Sequence, residues 1–568
     1  MADFCRLLTS YAEDMEETPL PEYPRPTLVR SSFLNLNGKW DFGVCDNIEN
    51  ATFDREILVP YPPESILSGI NEVFDEGKIL SYKREFSLPS GFNRGRVILH
   101  FGAVDQIAEV FLNGKRLGSH IGGYAPFSFD ITEELSESNI LTVFVRDRLS
   151  SLILPYGKQS HSRGGMWYTP ISGIWQTVWL ESVRENYISS LNTPTTPDDP
   201  IITAHFHGEA EDGTVAVQTP NGQVIFPLKD GKAEIKLDSP RLWSPDDPYL
   251  YEFEIVTESD TVRSYFALRS LEIKDVDSLP RLCLNGKPYF FHGLLDQGYF
   301  SDGIFTPASY SAIEDDILRA RSLGFNMLRK HIKIEHPYFY YLCDKHGMVV
   351  FQDMVNNGKY SFFRDTALPT VGLISRDDKR LHPNPKSRKA FLSHMEETVK
   401  QLGCHPSICL WTIFNEGWGQ FDGNAAYKQL KALDPTRFID TASGWYRCND
   451  TDLDSRHIYF RRVKLKASEK PLFLSEFGGY SYRTEGHVFN TDKAYGYGKC
   501  ESREDFVNAL RRLYENEIIP LVKCGLCASV YTQLTDVEDE INGLITYDRA
   551  VMKITPEEFK DVSERLKI

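Results

Sequence analysis

The first part of the chain is rich in short runs in which apolar and polar residues alternate. Between residues 31 and 181 these runs are short, as at 82–88 and 110–117, and Gly, Asn, Asp or Pro separates them. Such alternation is typical of strands with one buried face, and it predicts an antiparallel β-sandwich. Asn113-Gly114 predicts a hairpin turn within 110–117, because both residue types tolerate a positive φ angle.

A second β-rich unit follows from about residue 184 to residue 274. Pro and Asp are concentrated near its start, at 194–200, and the tetrapeptide Pro-Asn-Gly-Gln at 220–223 predicts another hairpin turn. The length of the unit suits one immunoglobulin-like sandwich. We assign it no chemistry.

From about residue 275, apolar runs of strand length alternate with amphipathic helical patterns. This alternation predicts βα units around a parallel sheet, and their number predicts an eight-stranded barrel. The fold class is therefore multidomain, with β-sandwiches at 1–183 and 184–274 and a (β/α)8 barrel at 275–568. Barrel strands are predicted at 290–295, 326–330, 348–352, 408–414, 438–441, 457–460, 472–475 and 526–532, and helices at 310–323, 337–346, 387–402 and 503–516.

Two of the predicted barrel strands are each followed by a glutamate near glycines. Glu416 follows Asn415 after the run 409–414, and Glu476 follows the run 471–475. Because parallel strands end on one face of a barrel, both carboxylates are expected where barrel active sites form. A retaining glycosidase needs one carboxyl to protonate the leaving oxygen and a second, about 5 to 5.5 Å away, to attack the anomeric carbon. The alternative is two ordinary surface glutamates, but two such placements favour the catalytic interpretation.

These motifs, Asn415-Glu416 and Ser-Glu-Phe-Gly at 475–478, resemble glycoside hydrolase family 2. The resemblance extends from about residue 31 to residue 549 and implies a compact three-domain member: a sugar-binding jelly roll, an immunoglobulin-like sandwich and a catalytic TIM barrel. It further implies that Glu416 is the acid/base and Glu476 the nucleophile. The segments similar to the family's first domain are 36–40, 122–127 and 168–175, and those similar to its second are 242–251 and 264–269.

Polar and aromatic residues follow the predicted strands, where barrel enzymes bind substrate. The resemblance implies that Arg329 orients the nucleophile, that Asn415 hydrogen-bonds the sugar 2-hydroxyl and that Tyr459 donates a hydrogen bond to Glu476. A cation and a phenol there would keep that carboxylate ionised, whereas an acid/base partner needs a raised pKa. The predicted substrate-binding residues are Asp296, Arg329, His331, Asp353, Asn415, Trp445, Tyr459 and Tyr531.

For two of these aromatic residues, the sequence does not decide whether they form the first sugar subsite. Trp445 offers an apolar face for sugar stacking, but packing inside the protein is an equal alternative. Tyr531 stands where many relatives carry Trp, which puts the aromatic floor of the subsite in question.

Composition indicates which binding partners and which cellular compartment to expect. The 80 acidic and 63 basic residues give a net charge of −17, which argues against nucleic acid or an anionic membrane as partner. The N-terminus has no signal-peptide pattern, no run approaches 18 apolar residues and ten cysteines are spread thinly, so we expect a cytoplasmic protein. Cys524 and Cys527 lack a second pair at ligand spacing and are expected to be core thiols. His331 and His336 are separated by a turn, so no metal or cofactor is predicted.

The sequence predicts a retaining exo-glycosidase that removes a terminal, β-linked neutral sugar from an oligosaccharide or small glycoside, with β-galactosidase as the default. Family members that hydrolyse glucuronides place Asn-x-Lys just before a Gly-hydrophobic-x-Thr segment after strand eight, where the lysine pairs with the uronate. Here that segment is 543–546, Glu540, Ile541 and Asn542 precede it, and the cation is missing. Galactofuranosides, arabinosides, mannosides and glucuronides are the alternative substrates.

Two further classes compete with this interpretation. A non-catalytic carbohydrate-binding protein would be favoured by loss of either glutamate, and both are present. A barrel enzyme with unrelated chemistry would need a phosphate loop or metal cluster, which the sequence does not show. Neither nucleic acid nor membrane is expected as a partner, and a homo-oligomer stays open.

Overall fold

The computed structural model describes residues 5–198, 200–370, 373 and 378–568. Two β-sandwiches are followed by a parallel β-barrel with helices around it. The predicted fold class is therefore confirmed.

The first sandwich packs a six-stranded antiparallel sheet against a four-stranded one. Trp40, Tyr82 and Leu99, from three different strands, share its apolar core. The predicted hairpin is confirmed, because its two strands pair around Asn113 (φ 52°) and Gly114 (φ 81°). In sheet order the strands are Arg55–Val59, Gly38–Cys45, Ile79–Phe86, Asn139–Arg146, Ile107–Leu112 and Lys115–Ile121, then Leu34–Asn35, Val178–Val183, Arg96–Phe101 and Phe127–Asp130, with a separate pair of Gly173–Ile174 and Val104–Asp105.

The second sandwich packs a three-stranded sheet against a four-stranded one. The predicted turn at 220–223 joins two antiparallel strands of the larger sheet. The strands are Tyr187–Asn192, Ile201–His207 and Lys232–Glu234, then Gly222–Leu228, Gly213–Thr219, Tyr251–Thr257 and Thr261–Phe266.

The barrel has eight parallel strands, here called barrel strands 1 to 8 in chain order. Their ladder runs 5-4-3-2-1-8-7-6, and within the described residues strands 5 and 6 do not pair, so the barrel is nearly closed. The strands are Phe291–Asp296, Met327–Lys330, Val349–Asp353, Ile408–Asn415, Phe438–Ser443, Asp454–Ile458, Leu472–Gly478 and Leu526–Thr532.

Barrel strand 6 begins three residues before its predicted start. Its first residues are polar, so the sequence gives no apolar strand signal there. In the structure these polar side chains have hydrogen-bond or ion-pair partners. Ser455 Oγ donates to Ser475 Oγ at 2.7 Å, and Arg456 forms an ion pair with Asp454 at 2.8 Å. Tertiary contacts therefore extend the strand beyond its apolar part.

Helices surround the barrel, and the predicted ones are present with small shifts. The helix predicted from residue 387 begins at Pro385, because Asn384 caps it by accepting a 3.0 Å hydrogen bond from the Lys386 N–H. The α-helices are Tyr310–Ser322, Pro337–His346, Leu368–Thr370, Pro385–Leu402, Gly423–Leu433, Arg503–Leu513, Ile519–Val522 and Pro556–Glu564, and π-helical turns occur at Phe362–Ala367 and Tyr514–Ile518.

Apolar side chains fill the amino-terminal half of the barrel. Phe291, Phe351 and Phe473 share a core with Trp243 of the second sandwich and with Leu282. Leu282 belongs to a small sheet of Leu271–Val276, Leu279–Leu284 and Lys287–Pro288 that precedes the barrel. Polar groups are left for the carboxyl ends of the strands.

Two further predictions concern cysteines and membranes. All ten cysteines lie in the described residues and are free, and Cys527 is buried whereas Cys524 is half-buried. No helix in the described part of the chain is both long and apolar enough to span a bilayer. The cytoplasmic location stays a prediction.

Candidate active site

Arg329, on barrel strand 2, connects four strands at the carboxyl end of the barrel. Its side chain is fully buried. Nε donates to Asp353 Oδ1 at 3.0 Å, Nη1 to Glu476 Oε1 at 3.0 Å and Nη2 to Asn415 Oδ1 at 2.9 Å. The structure thus brings together four residues that the sequence predicted separately.

The Glu476 carboxylate is held on both oxygens. Tyr459 donates a hydrogen bond to Oε2 at 2.5 Å, opposite the arginine on Oε1. Burial acts to raise the pKa of Glu476, but the nearby His457 and Arg329 charges, with the Tyr459 hydrogen bond, lower it to about 2. Burial and the Glu476 charge raise the pKa of Tyr459 well above its usual value. The carboxylate therefore stays ionised and the phenol stays a donor.

Glu416 lies directly after barrel strand 4 with a left-handed backbone (φ 54°). Its N–H donates to the Ser443 carbonyl at 3.0 Å, and its own carbonyl accepts from Trp445 Nε1 at 3.0 Å. Trp445 also donates to the Asp365 carbonyl at 2.8 Å. These bonds fix the turn and place Trp445 beside the glutamate.

His457, which is not among the residues predicted from the sequence, lies between the two glutamates. Nδ1 is 2.9 Å from Glu416 Oε1 and 3.5 Å from Glu476 Oε2, while Nε2 is 3.0 Å from Ser443 Oγ. A ring nitrogen and one oxygen of each glutamate all lie within 4.8 Å of one another. His457 lies two residues before Tyr459, and alternate residues of a strand share a face. The predicted position of Tyr459 would therefore have indicated His457 as well.

The same three side chains, Glu416, His457 and Glu476, are close enough to ligate a cation. Within the described residues, however, Arg329 and Tyr459 already bind both oxygens of Glu476. The expectation that no metal is required stays a prediction.

His331 and Asp353 form a pair beside Arg329. His331 Nδ1 is 2.8 Å from Asp353 Oδ2, so Asp353 binds both the histidine and the arginine. Burial lowers the pKa of His331, which favours its neutral form. The pair holds the arginine in place.

The structure places Asp296 away from the glutamate pair. It forms an ion pair with Lys330 at 2.6 Å and lines a small cavity with Ile313 and Ile317 of the first barrel helix. Successive residues of a strand face opposite sides, and Leu295 belongs to the barrel interior. The side chain of Asp296 is therefore on the outer face.

Tyr531 is also turned away from the site. Its hydroxyl accepts a hydrogen bond from the Tyr480 N–H at 3.2 Å, and its ring lies 5.8 Å from that of Phe477. Thr532, one residue on, lies 3.0 Å from the Tyr459 hydroxyl. Thr532 therefore occupies the inward position for which the sequence analysis considered Tyr531.

A segment of the first sandwich, residues 155–168, covers one side of the barrel mouth. The N–H groups of Tyr156 and Gly157 donate to the Asn356 carbonyl at 3.0 and 3.2 Å. Trp167 lies 5.1 Å from Trp418, two residues after Glu416. The site is therefore built from two domains.

One more aromatic residue missed by the sequence analysis lies at the site. The Tyr497 ring stacks on that of Tyr459 at 3.8 Å with an angle of 13°. Tyr497 lies in the region 479–502, which has only one short strand pair. Because that region has no regular period, its pattern gave no signal.

Fold and site together define a class. A parallel barrel that presents two glutamates at the ends of strands 4 and 7, one of them bound by arginine and tyrosine, is the architecture of a barrel glycosidase.

Family models match three parts of the chain. The model for "Glycosyl hydrolases family 2, TIM barrel domain" matches residues 272–523, "Glycosyl hydrolase 2 galactose-binding domain-like" matches 75–157 and "Glycosyl hydrolases family 2" matches 192–269. The chain belongs to glycoside hydrolase family 2 and is a hydrolase of O-glycosyl bonds.

Relatives carry two different activity names. A beta-glucuronidase of Bacteroides fragilis is 26% identical over 78% of this chain and 68% of its own length. A beta-galactosidase of Thermoanaerobacter pseudethanolicus is 27% identical over 73% of this chain and 58% of its own length. A solved beta-glucuronidase structure from an uncultured Clostridium species has a TM-score of 0.73 at 18% identity, covering 97% of this chain and 99% of that chain, and shows the shared fold.

Proposed function

We propose that this protein is a retaining exo-glycosidase that hydrolyses a terminal, β-linked sugar, with Glu476 as nucleophile and Glu416 as acid/base. The observation that carries the proposal is the approach of the two carboxylates: one oxygen of Glu416 lies within 4.8 Å of one oxygen of Glu476. Retaining enzymes hold their carboxyl groups about 5 to 5.5 Å apart, and inverting enzymes about 6.5 to 9.5 Å apart.

The unequal surroundings of the glutamates support this division of roles. Glu476 is ionised and fixed by Arg329 and Tyr459, as an attacking carboxylate must be. Glu416 has neither partner, and its side chain is 14% exposed against 6% for Glu476. It can therefore meet a leaving group at the barrel mouth.

The proposed reaction has two steps. First, the Glu476 carboxylate forms a bond to the anomeric carbon, the bond to the leaving oxygen breaks, and Glu416 gives that oxygen its proton. Second, Glu416 takes a proton from water, the water oxygen attacks the anomeric carbon, and the bond to Glu476 breaks. Both glutamates return to their starting states.

The segment 155–168 supports attack on a terminal sugar. It bonds to Asn356 after barrel strand 3 and packs through Trp167 on Trp418, so it covers one side of the cleft. A cleft covered on one side suits a chain end better than the middle of a long glycan.

Covalent labelling tests the assignment of the nucleophile. A 2-fluoro glycoside of a sugar that the enzyme cleaves is expected to leave a stable adduct on Glu476, found by peptide mass spectrometry. Glu476→Gln should give no adduct and lose nearly all turnover. An adduct on any other residue would refute the assignment.

A further inference from the structure

The expectation of a neutral sugar rested on the loop after barrel strand 8, where Glu540 and Asn542 replace the uronate-binding motif. The structure brings a second segment to that loop. Tyr168 of the first sandwich donates to Glu540 Oε2 at 2.5 Å, and the Thr169 N–H donates to Glu538 Oε1 at 2.9 Å. Tyr168 and Thr169 of the first sandwich therefore line the same corner as the loop after barrel strand 8.

Lys158 is fixed in this corner by its backbone. Its carbonyl accepts a hydrogen bond from the Tyr168 N–H at 3.0 Å. Gly157, just before it, has φ 65°, and a Cβ there would lie 2.6 Å from the Ile332 carbonyl oxygen. Since Ile332 follows barrel strand 2 and Gly157 also bonds to the loop after strand 3, Lys158 is held at the barrel mouth.

The Lys158 ammonium forms no ion pair with any carboxylate of the described residues. The residue is only 9% exposed, and among the described residues its ammonium forms no hydrogen bond or ion pair. Nζ lies 6.0 Å from the centre of the Trp167 ring. A buried cation without a counter-charge is costly. Three other buried lysines all have carboxylate partners, at 2.6 to 2.9 Å: Lys330 with Asp296, Lys333 with Glu335 and Lys553 with Asp536.

Within the described residues, Glu540 forms no ion pair with Lys158. Its oxygens accept hydrogen bonds from Tyr168 and, at 2.9 Å, from Asn542 Nδ2. Burial raises the pKa of Glu540, and its hydrogen bonds and the Lys158 charge oppose that rise. The Trp167 ring beside this ammonium lies 5.1 Å from the ring of Trp418, two residues after Glu416, so Lys158 is at the same mouth of the barrel as the glutamate pair.

We propose that Lys158 binds a carboxylate on the terminal sugar, so that the substrate class is β-linked uronosides. This proposal rests on the proposed function. A neutral hydroxyl would leave the buried ammonium uncompensated, whereas a uronate carboxylate pairs with it. The specificity-determining cation thus comes from the first sandwich and not from the loop after barrel strand 8.

Matched pairs of p-nitrophenyl β-glycosides that differ only at C6 test this: glucuronide against glucoside, and galacturonide against galactoside. The wild type is expected to prefer the uronide of the pair it cleaves. Lys158→Met should lower kcat/KM on that uronide at least about 30-fold, change the neutral partner by less than threefold and keep the thermal unfolding midpoint. Lys158→Arg should retain part of the uronide activity.

Lys493→Met, which removes an exposed lysine, controls for net charge and should alter neither substrate. A wild-type preference for the neutral sugar, or an equal loss on both members of a pair in Lys158→Met, would overturn the role of Lys158. Either result would leave the glycosidase proposal intact. Absence of turnover on every glycoside, with no adduct on Glu476, would instead refute the proposed function.

Discussion

At the scale of single residues, the Arg329 guanidinium sets the geometry of the proposed reaction. It donates to side-chain oxygens on barrel strands 3, 4 and 7 at 2.9 to 3.0 Å. The planar fork of arginine presents donors in fixed directions, which a lysine cannot do. One residue thereby fixes Glu476 relative to Asn415, the neighbour of Glu416.

Tyr459→Phe is expected to weaken Glu476 as the attacking group. The variant loses the 2.5 Å hydrogen bond that favours the carboxylate, so the pKa of Glu476 rises from about 2. The carboxylate is then protonated at a higher pH, and the acidic limb of kcat/KM moves upward by about 1 pH unit. We expect kcat to fall about 10- to 100-fold. The pH–rate profile measures both effects.

Tyr531→Phe is the matched control for this variant. Its hydroxyl accepts a hydrogen bond from the Tyr480 N–H and does not contact Glu476. Its kcat and pH profile should equal those of the wild type. An unchanged acidic limb in Tyr459→Phe, or a shifted one in Tyr531→Phe, would contradict the assignment of these side chains.

Glu416→Ala is expected to lower kcat/KM most for substrates whose leaving group needs a proton to depart. Activated aryl groups depart without a proton, so their release should be little affected, whereas poor leaving groups should lose about 100-fold or more in kcat/KM. Added azide should restore turnover of an activated substrate by attacking the intermediate. Equal loss across a series of leaving groups, without azide rescue, would rule out the acid/base role.

At the scale of elements, the alternation of side chains decides which residues reach the site. Thr532 faces the barrel interior and contacts Tyr459, whereas Tyr531 packs on the outside. In the segment 155–168 the left-handed Gly157 fits against the Ile332 carbonyl, where a side chain has no room.

Gly157→Ala is expected to damage both stability and activity. The added Cβ meets the Ile332 oxygen in a backbone conformation that alanine disfavours, at a cost of about 2 to 4 kcal/mol. Moving this segment also moves Lys158, so kcat/KM should fall together with the unfolding midpoint.

Gly114→Ala is the matched control. Gly114 has φ 81°, but a Cβ added there would meet no atom of the described residues within 4 Å, so only the conformational cost of about 1 kcal/mol remains. Its kcat/KM should not change. If both variants lose stability equally and neither loses activity, the segment does not position the site.

At the scale of the whole molecule, buried charges connect the two sandwiches. Arg30 forms an ion pair with Asp260 of the second sandwich at 2.7 Å and lies 3.4 Å from Glu181 of the first. All three side chains are at most 8% exposed. The junction therefore joins the second sandwich to the first, the domain whose segment 155–168 covers one side of the barrel mouth.

Asp260→Ala is expected to leave Arg30 without its main partner and to destabilise the protein by about 3 kcal/mol. For a chain of 568 residues, this loss should lower the thermal unfolding midpoint by about 2 to 3 °C. Glu56→Ala removes an exposed pair with Lys39 and should change the midpoint by about 1 °C at most. Similar shifts in the two variants, measured by calorimetry, would show that the junction adds no stability.

The sequence by itself determined the order of domains, most barrel strands and the positions of Glu416 and Glu476. These features depend on neighbours in the chain: a period of two for sandwich strands, a change to alternating strands and helices, and a glutamate after an apolar run. Arg329, Asp353, Asn415 and Tyr459 could be predicted as well, because each follows or ends a recognisable strand.

Only the tertiary structure decided how the remaining residues meet. Tyr168 and Glu540, which define the corner beside Lys158, are 372 residues apart in the chain, and no local pattern relates them. His457 was missed and Tyr531 was selected because their direction depends on the register of barrel strands 6 and 8, which pairing with neighbouring strands fixes. Local periodicity therefore identified the two glutamates proposed to react, whereas long-range packing determined which charges lie around them.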